Sequence, residues 1–241
     1  MSKTTESVRW RGGQVTRIEA LTDAVFGFAI TLLVVSLEVP ETFDDLMLTM
    51  RGFVAFACSF ALLILVWIYH YRLFSRFDLE DGYTIFLNSV LLFVVLFYVY
   101  PLKFVFSSWL NRGVGDIFTS GDQVRLMMTI YAIGFMAVFI VFALLYHHAY
   151  ALRERLGLSR REALDARSHI ADCLVMIGAG AASIVVTQAV PLRWAAPLGG
   201  MTYFLIGPAQ FLNGRYWGRR IRELGERERN AVEVAASGAD R

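Results

Sequence analysis

Residues 17 to 35 read Arg-Ile-Glu-Ala-Leu-Thr-Asp-Ala-Val-Phe-Gly-Phe-Ala-Ile-Thr-Leu-Leu-Val-Val, an apolar run whose first seven positions hold an arginine, a glutamate and an aspartate. Between Asp23 and Glu38 only 14 uncharged residues remain. A spanning helix needs about 20 mainly apolar residues, because the hydrocarbon core is about 30 Å thick and each residue rises about 1.5 Å. The run crosses a membrane only if Asp23 enters it. An ionisable residue at that depth is costly, and such residues face a protein interior or a water-filled path and have partners. Asp23 is therefore the first functional candidate.

The remaining charges mark where the chain crosses again. No charged residue falls between Arg51 and Arg72, Asp81 and Lys103, Arg125 and Arg153, Asp172 and Arg193, or Arg193 and Arg215. With the first run these give an all-α integral membrane protein of six spans, at about 18–38, 52–72, 83–104, 126–148, 169–190 and 194–213. Residues 1–213 form the membrane domain and 214–241 a charged tail, read as an amphipathic helix with Glu223 and Arg227 at the favourable four-residue spacing. Pro191 and Arg193 leave only a tight turn between the last two spans. The segment from Ser107 to Asp122, with Gly113, Gly115 and Gly121, reads as a flexible connection.

Composition agrees: 56% of the 241 residues are hydrophobic and 18% charged, against about 45–50% and about 25% in soluble domains. The net charge of +2 supplies no clustered basic field for nucleic acid. Cys58 and Cys173 sit inside apolar runs and read as small core hydrophobes. The first apolar run is longer than a signal-peptide core and lacks a small-residue cleavage site after it, so it is expected to remain as an anchor. Lys and Arg number 18 on one side of the six-span layout and 5 on the other. By the positive-inside rule both termini are cytoplasmic, in a multi-pass cell-membrane protein.

The first span, with Arg17, Leu21, Thr22 and Asp23, resembles the signature of the transmembrane protein 175 family of potassium channels, whose first helix carries Arg-x-x-x-Phe-Ser-Asp before an Ile-, Leu- and Thr-containing run. Leu21 stands here for Phe and Thr22 for Ser. Trp67 and His70 at the end of the second span, and Asn88 and Pro101 in the third, match the same pattern. The resemblance implies a six-helix subunit, four copies of which assemble around a pore lined by the first helix. It also implies a potassium-permeable channel only modestly selective over sodium. Counting from the motif Asp, it puts the hydrophobic constriction at Phe28, with Leu32 and Val35 as further pore residues and Thr31 associated with the pore. Phe28 replaces the family's usual Ile or Leu.

Steps of four and then three keep Phe28, Leu32 and Val35 on one helical face, with Thr31 on its flank. A ring of such side chains closes a pore by dewetting, and no Thr-Val-Gly-Tyr-Gly filter is present to supply stacked carbonyls. Asp23 is five residues from Phe28, or about 140° around the helix, and points away from that stripe. In the six-span layout Asp23, His70 and Asn88 share an inner depth, and Trp67 and His70 share a face. Arg17, Thr22, Asp23, Trp67, His70 and Asn88 are thus expected to tie the first three spans together and fix the rotation of the first.

Other signals are weaker. His147 and His148 diverge by about 100° and make a poor chelate. His169 and Asp172 share a face as a hydrogen-bonded pair or half a metal site, but no further ligand stands at suitable spacing, so no metal or other cofactor is expected. The run from Gly178 to Ser183 reads as a close-packing surface. Two other functions stay open: a proton-coupled transporter using Asp23 and His70, and a membrane-embedded enzyme. The sequence lacks the Gly-x-Ser-x-Gly and His-Glu-x-x-His motifs that an enzyme of this kind would offer, and none is expected.

Overall fold

Membrane-spanning backbone must satisfy its own hydrogen bonds, and in this chain helices do so. The computed structural model describes residues 15–35, 41–51, 53–111 and 120–239. In order come α1 (Arg17–Val35), α2 (Phe43–Arg51), α3 (Phe53–Phe74), α4 (Gly82–Asn111), α5 (Gly121–Ala151), α6 (Arg160–Ala189), α7 (Leu192–Met201), a 3-10 turn (Thr202–Leu205) and α8 (Ile206–Ala239). Among the described residues four segments are long and apolar enough to cross a membrane: Phe56–Phe74, Gly82–Pro101, Gly121–Ala151 and Arg160–Ala189.

Two helix starts follow from local chemistry. The Thr16 amide donates to Glu19 Oε2 at 2.8 Å while the Glu19 amide donates to Thr16 Oγ1 at 3.2 Å, a capping box that starts α1 within the charged end of the opening run. Ser159 and Glu162 do the same for α6.

The chain departs from the sequence expectation at several places, among them the start of α6 at Arg160, nine residues before the expected limit at 169. The stretch after the first span holds the short helix α2, whose Phe43, Leu46, Met47 and Met50 are exposed along one face. Residues 107–111, expected in a flexible connection, extend α4, while 112–119 lie outside the described residues. Where one continuous sixth span was expected at 194–213, the backbone is α7, the 3-10 turn and the start of α8. Pro208 explains the interruption: it has no N–H for the carbonyl four residues back and its ring crowds that carbonyl, so the turn containing Phe204 tightens to 3-10 geometry. From Ile206 onward α8 runs through position 213 into the tail without a break.

The core is built from one face of each long helix. It joins Phe26, Ala29 and Leu33 of α1 to Leu63 and Leu73 of α3, Leu87, Leu91, Val95 and Val99 of α4, and Phe135, Phe139, Phe142 and Tyr146 of α5. The steps of three and four along each helix set those faces. Cys173 is buried and Cys58 half-buried, both as free thiols. Where helices approach closely, side chains vanish: a Cβ on Gly134 would lie 2.3 Å from the Tyr98 ring, and one on Gly180, within the small-residue run, 2.5 Å from Met136 Cγ.

One end of the bundle gathers the C-termini of α3 and α5, the N-termini of α4 and α6, and the middle of α8. Arg76, beyond α3, pairs with Asp165 of α6. His148 Nε2 lies 2.8 Å from Asp81 Oδ2, and Asn213 Nδ2 donates to Asp172 Oδ1 at 2.7 Å. At the opposite end Arg125 Nη2 donates to the Val190 carbonyl at 3.0 Å.

Candidate pore helix and its anchor

Helix α1 packs on α3 and α4 and has two distinct sides. Thr22, Phe26, Ala29 and Leu33 are buried, at steps of four and three. The other side carries Leu21, 56% exposed, Phe28, 69% exposed, and Leu32, 45% exposed, with Thr31 also exposed. Beyond Asp23 the helix is apolar on both sides apart from Thr31, so hydropathy does not separate them; packing does. The Thr31 hydroxyl donates to the Gly27 carbonyl at 2.8 Å, so its donor is spent within the helix and its lone pairs face outward. Val35 is the last residue of α1, and its side chain lies outside the described ones.

The buried side is tied down by polar bonds. Asn88 Nδ2 donates to Thr22 Oγ1 at 2.8 Å, and Asn88 Oδ1 lies 3.0 Å from His70 Nε2. An amide oxygen only accepts, so His70 carries its proton on Nε2 and donates. The resulting chain, Thr22 to Asn88 to His70, links α1, α4 and α3, and all three side chains are buried. Beside it the Trp67 indole donates to Asp23 Oδ1 at 2.7 Å. Aromatic stacking steadies both donors, with Trp67 on Tyr71 at 5.7 Å and His70 on Phe74 at 4.3 Å between centroids. Asp23 itself is exposed, at the margin between the two sides of α1.

Five of the expected network residues, Thr22, Asp23, Trp67, His70 and Asn88, therefore meet in two adjoining bonded groups. Arg17 does not join them: it is exposed in the first turn of α1 and, among the described residues, makes none of these bonds. It lies nearly two turns before Asp23, and its position at the helix start directs it outward. Leu21 lies on the exposed side with Phe28 and Leu32.

The second polar cluster, at the gathered helix ends, was only partly anticipated. His169 Nδ1 lies 3.3 Å from Asp172 Oδ2, as their spacing suggested, and its Nε2 lies 3.2 Å from Arg76 Nη1. His148 turns inward to Asp81 while His147 is exposed, the divergence expected of adjacent helical residues. Asp81 also accepts from the Tyr83 and Thr84 amides at 2.9 and 3.1 Å, the pattern of a helix cap. Partial burial opposes its charge, yet the bonds from His148 and Thr84 and the charge of His148 hold its carboxyl down at about 2. The cap was legible in the sequence as an aspartate just before the Gly82 run. Its His148 partner, 67 residues away, was not. No group of three or more His, Cys, Asp or Glu poised for a metal occurs among the described residues.

These features define a class: an all-helical membrane protein whose short first helix is locked to two neighbours by a buried polar chain and leaves its opposite side uncovered. The profile of the family described as "Endosomal/lysosomal potassium channel TMEM175" matches residues 17–98, the stretch that holds the whole anchor. A potassium channel of Marivirga tractuosa is 40% identical over 231 residues, spanning 89% of this chain and 92% of its own. A potassium channel of Chamaesiphon minutus is 32% identical over 141 residues, covering 55% of this chain and 64% of its own. The chain belongs to the TMEM175 family.

Solved structures agree. The potassium channel MtTMEM175, crystallised as a single-residue variant with a nanobody fusion, superposes with a TM-score of 0.75 at 38% identity, covering 88% of this chain and 97% of that one. A lysosomal potassium-selective channel TMEM175 homolog from Chamaesiphon minutus shares the fold at a TM-score of 0.54 and 24% identity, covering 85% of this chain and 96% of its own.

Proposed function

We propose that this chain is the subunit of a potassium-permeable cation channel in which α1 of each copy lines a central pore. The observation that carries the reading is the two-sidedness of α1. A helix that is largely apolar beyond Asp23 is fixed in rotation by Thr22, Asn88, His70, Asp23 and Trp67, and this leaves Phe28 and Leu32 uncovered in the single subunit. A helix that served only to face lipid would gain little from so defined a rotation. The names of the relatives, potassium channels all, support the same reading.

In this channel Phe28 forms the constriction, with Leu32 and Val35 continuing the pore stripe and Thr31 offering acceptor oxygens on its flank. Four copies make a homotetramer with both termini in the cytoplasm of a multi-pass cell-membrane protein, and six spans count α1 and the broken α7–α8 segment as crossings. The gathered helix ends carry Arg72, Arg76, Arg153, Arg155, Arg160, Arg161 and Arg167 and form the inner face. An apolar ring dewets when narrow, so the gate needs neither charge nor plug. Four phenyl rings at one level give a tighter ring than four Ile. Selectivity for potassium over sodium comes from side chains and is modest.

The test is ion flux from proteoliposomes holding purified protein, first under a potassium and then under a sodium gradient, with Phe28→Ala beside wild type. The proposal expects potassium flux in wild type and larger flux in Phe28→Ala. Flux that needs a proton gradient and vanishes in His70→Ala would replace it with a proton-coupled transporter.

A further inference from the structure

Outside the anchor and the pore stripe, a second feature has the chemistry of a binding site. A cavity of about 600 Å³ opens where the α5–α6 turn meets α8, within the roughly 300–1,000 Å³ common for small-molecule sites. Arg153, Arg160 and Arg167 line it together with Tyr150 and Glu154, and its apolar walls include Leu164 from α6 and Leu224 from α8. The turn is held by Gly157 in the left-handed region at φ 58° and by the Leu158 amide donating to the Arg153 carbonyl at 2.8 Å.

Three arginines and one carboxylate line this cavity, so its lining keeps a net positive charge. Arg153 meets Glu154 only at 3.5 Å, on a glutamate whose side chain is 90% exposed, a surface pair of little strength. Among the described residues no carboxylate pairs with Arg160 or Arg167. Arg167 instead lies over two aromatic faces, 5.8 Å from the Tyr150 centroid and 5.9 Å from that of Trp217, and Arg153 lies 4.9 Å from Tyr150. These cation–π contacts hold the guanidinium groups near the aromatic rings without using up their N–H donors.

The position selects the ligand. The cavity lies at the ends of α5 and α6, two helices apolar enough to cross the membrane, on the end where arginines gather. Tyr150 and Trp217 are residues of the type that concentrate at the headgroup level. Arginines bind phosphate through paired donors, and basic pockets between membrane helices on the cytoplasmic side take anionic headgroups. We propose that this cavity binds the phosphate headgroup of an anionic phospholipid, with Arg160 and Arg167 holding the phosphate and the Leu164 and Leu224 walls covering the glycerol and first acyl carbons. The site is separate from the pore stripe, and it rests on the membrane orientation proposed above but not on the pore.

The test is native mass spectrometry of the purified full-length protein in detergent, titrated with short-chain phosphatidylglycerol, short-chain phosphatidylcholine or inorganic phosphate. Phosphatidylglycerol is expected to bind more tightly than phosphatidylcholine, and equimolar inorganic phosphate is expected not to displace it. With Arg160→Gln and Arg167→Gln combined, phosphatidylglycerol binding should weaken about thirtyfold, or about 2 kcal/mol, at about 1 kcal/mol for each arginine near a lipid surface. Leu224→Glu keeps both arginines but adds a carboxylate to the wall, and should weaken binding likewise. Arg155→Gln, an exposed neighbour outside the cavity, should leave it unchanged. Equal affinity for the two lipids, unaltered phosphatidylglycerol binding in either the double variant or Leu224→Glu, or displacement by inorganic phosphate would overturn the proposal.

Discussion

Replacing Asn88 by Ala removes a side chain on α4 that bonds both α1 and α3. Two hydrogen bonds are lost together, to Thr22 at 2.8 Å and to His70 at 3.0 Å, and a buried hydroxyl and a buried ring N–H are left without these partners. Hydrogen bonds between membrane helices contribute about 0.6 to 2 kcal/mol each, so Asn88→Ala should destabilise the subunit by about 1–4 kcal/mol. The assay is SDS-induced unfolding in mixed micelles followed by tryptophan fluorescence. A double-mutant cycle with Thr22→Val isolates one bond, because valine keeps the shape and deletes the hydroxyl. The cycle should return a coupling of about 0.6 kcal/mol, and no more than about 1.7 kcal/mol. Stability within about 0.5 kcal/mol of wild type for Asn88→Ala, the range of an ordinary surface substitution, together with zero coupling, would refute the claim that this chain of bonds locks α1.

Two further outcomes follow from neighbouring groups. Asp23→Ala should reduce oligomer assembly, read by size-exclusion chromatography, and potassium flux in the same preparation, and Trp67→Phe, which deletes only the indole donor, should reproduce part of both losses; full currents from well-expressed Asp23→Ala would contradict this. Asp81 has its carboxyl held at about 2, below the ordinary 3.8, so its contribution to stability is fully present above about pH 4 and is lost as pH falls through 2. The stability difference between wild type and Asp81→Asn should therefore shrink over that interval, and a difference independent of pH would show that the His148 and Thr84 bonds do not hold the carboxylate.

The parts of the fold written in local spacing were legible. Charges bracket the apolar runs of α3 to α6 because a charge inside hydrocarbon is costly, but three of the helices outrun them: α4 continues to Asn111, α5 begins at Gly121, and α6 begins at Arg160, nine residues before its expected limit. Trp67, His70 and Asn88 stood out because polar side chains within an apolar run need partners, and the partners they find are the motif residues Thr22 and Asp23. What sequence could not give was the outward placement of Arg17, since a cation at a helix start is equally suited to solvent or to a bond. The break at Thr202–Leu205 carried a signal in Pro208, but an uncharged run masked it. Pairings such as Asp81 with His148 and Arg76 with Asp165 depend on which helix ends meet, and no local pattern encodes that.

In the proposed channel the uncovered side of α1 lines a water-filled path. That placement is tested most directly by thiol modification of Phe28→Cys and Ala29→Cys in a background where Cys58 and Cys173 are replaced by Ala. A charged methanethiosulfonate reagent reacts with a thiolate in contact with water and not with a thiol held in lipid or protein. The reagent should suppress potassium flux through Phe28→Cys and leave flux through Ala29→Cys, on the side packed against α3 and α4, unchanged. Flux through Phe28→Cys that the reagent leaves untouched would contradict it.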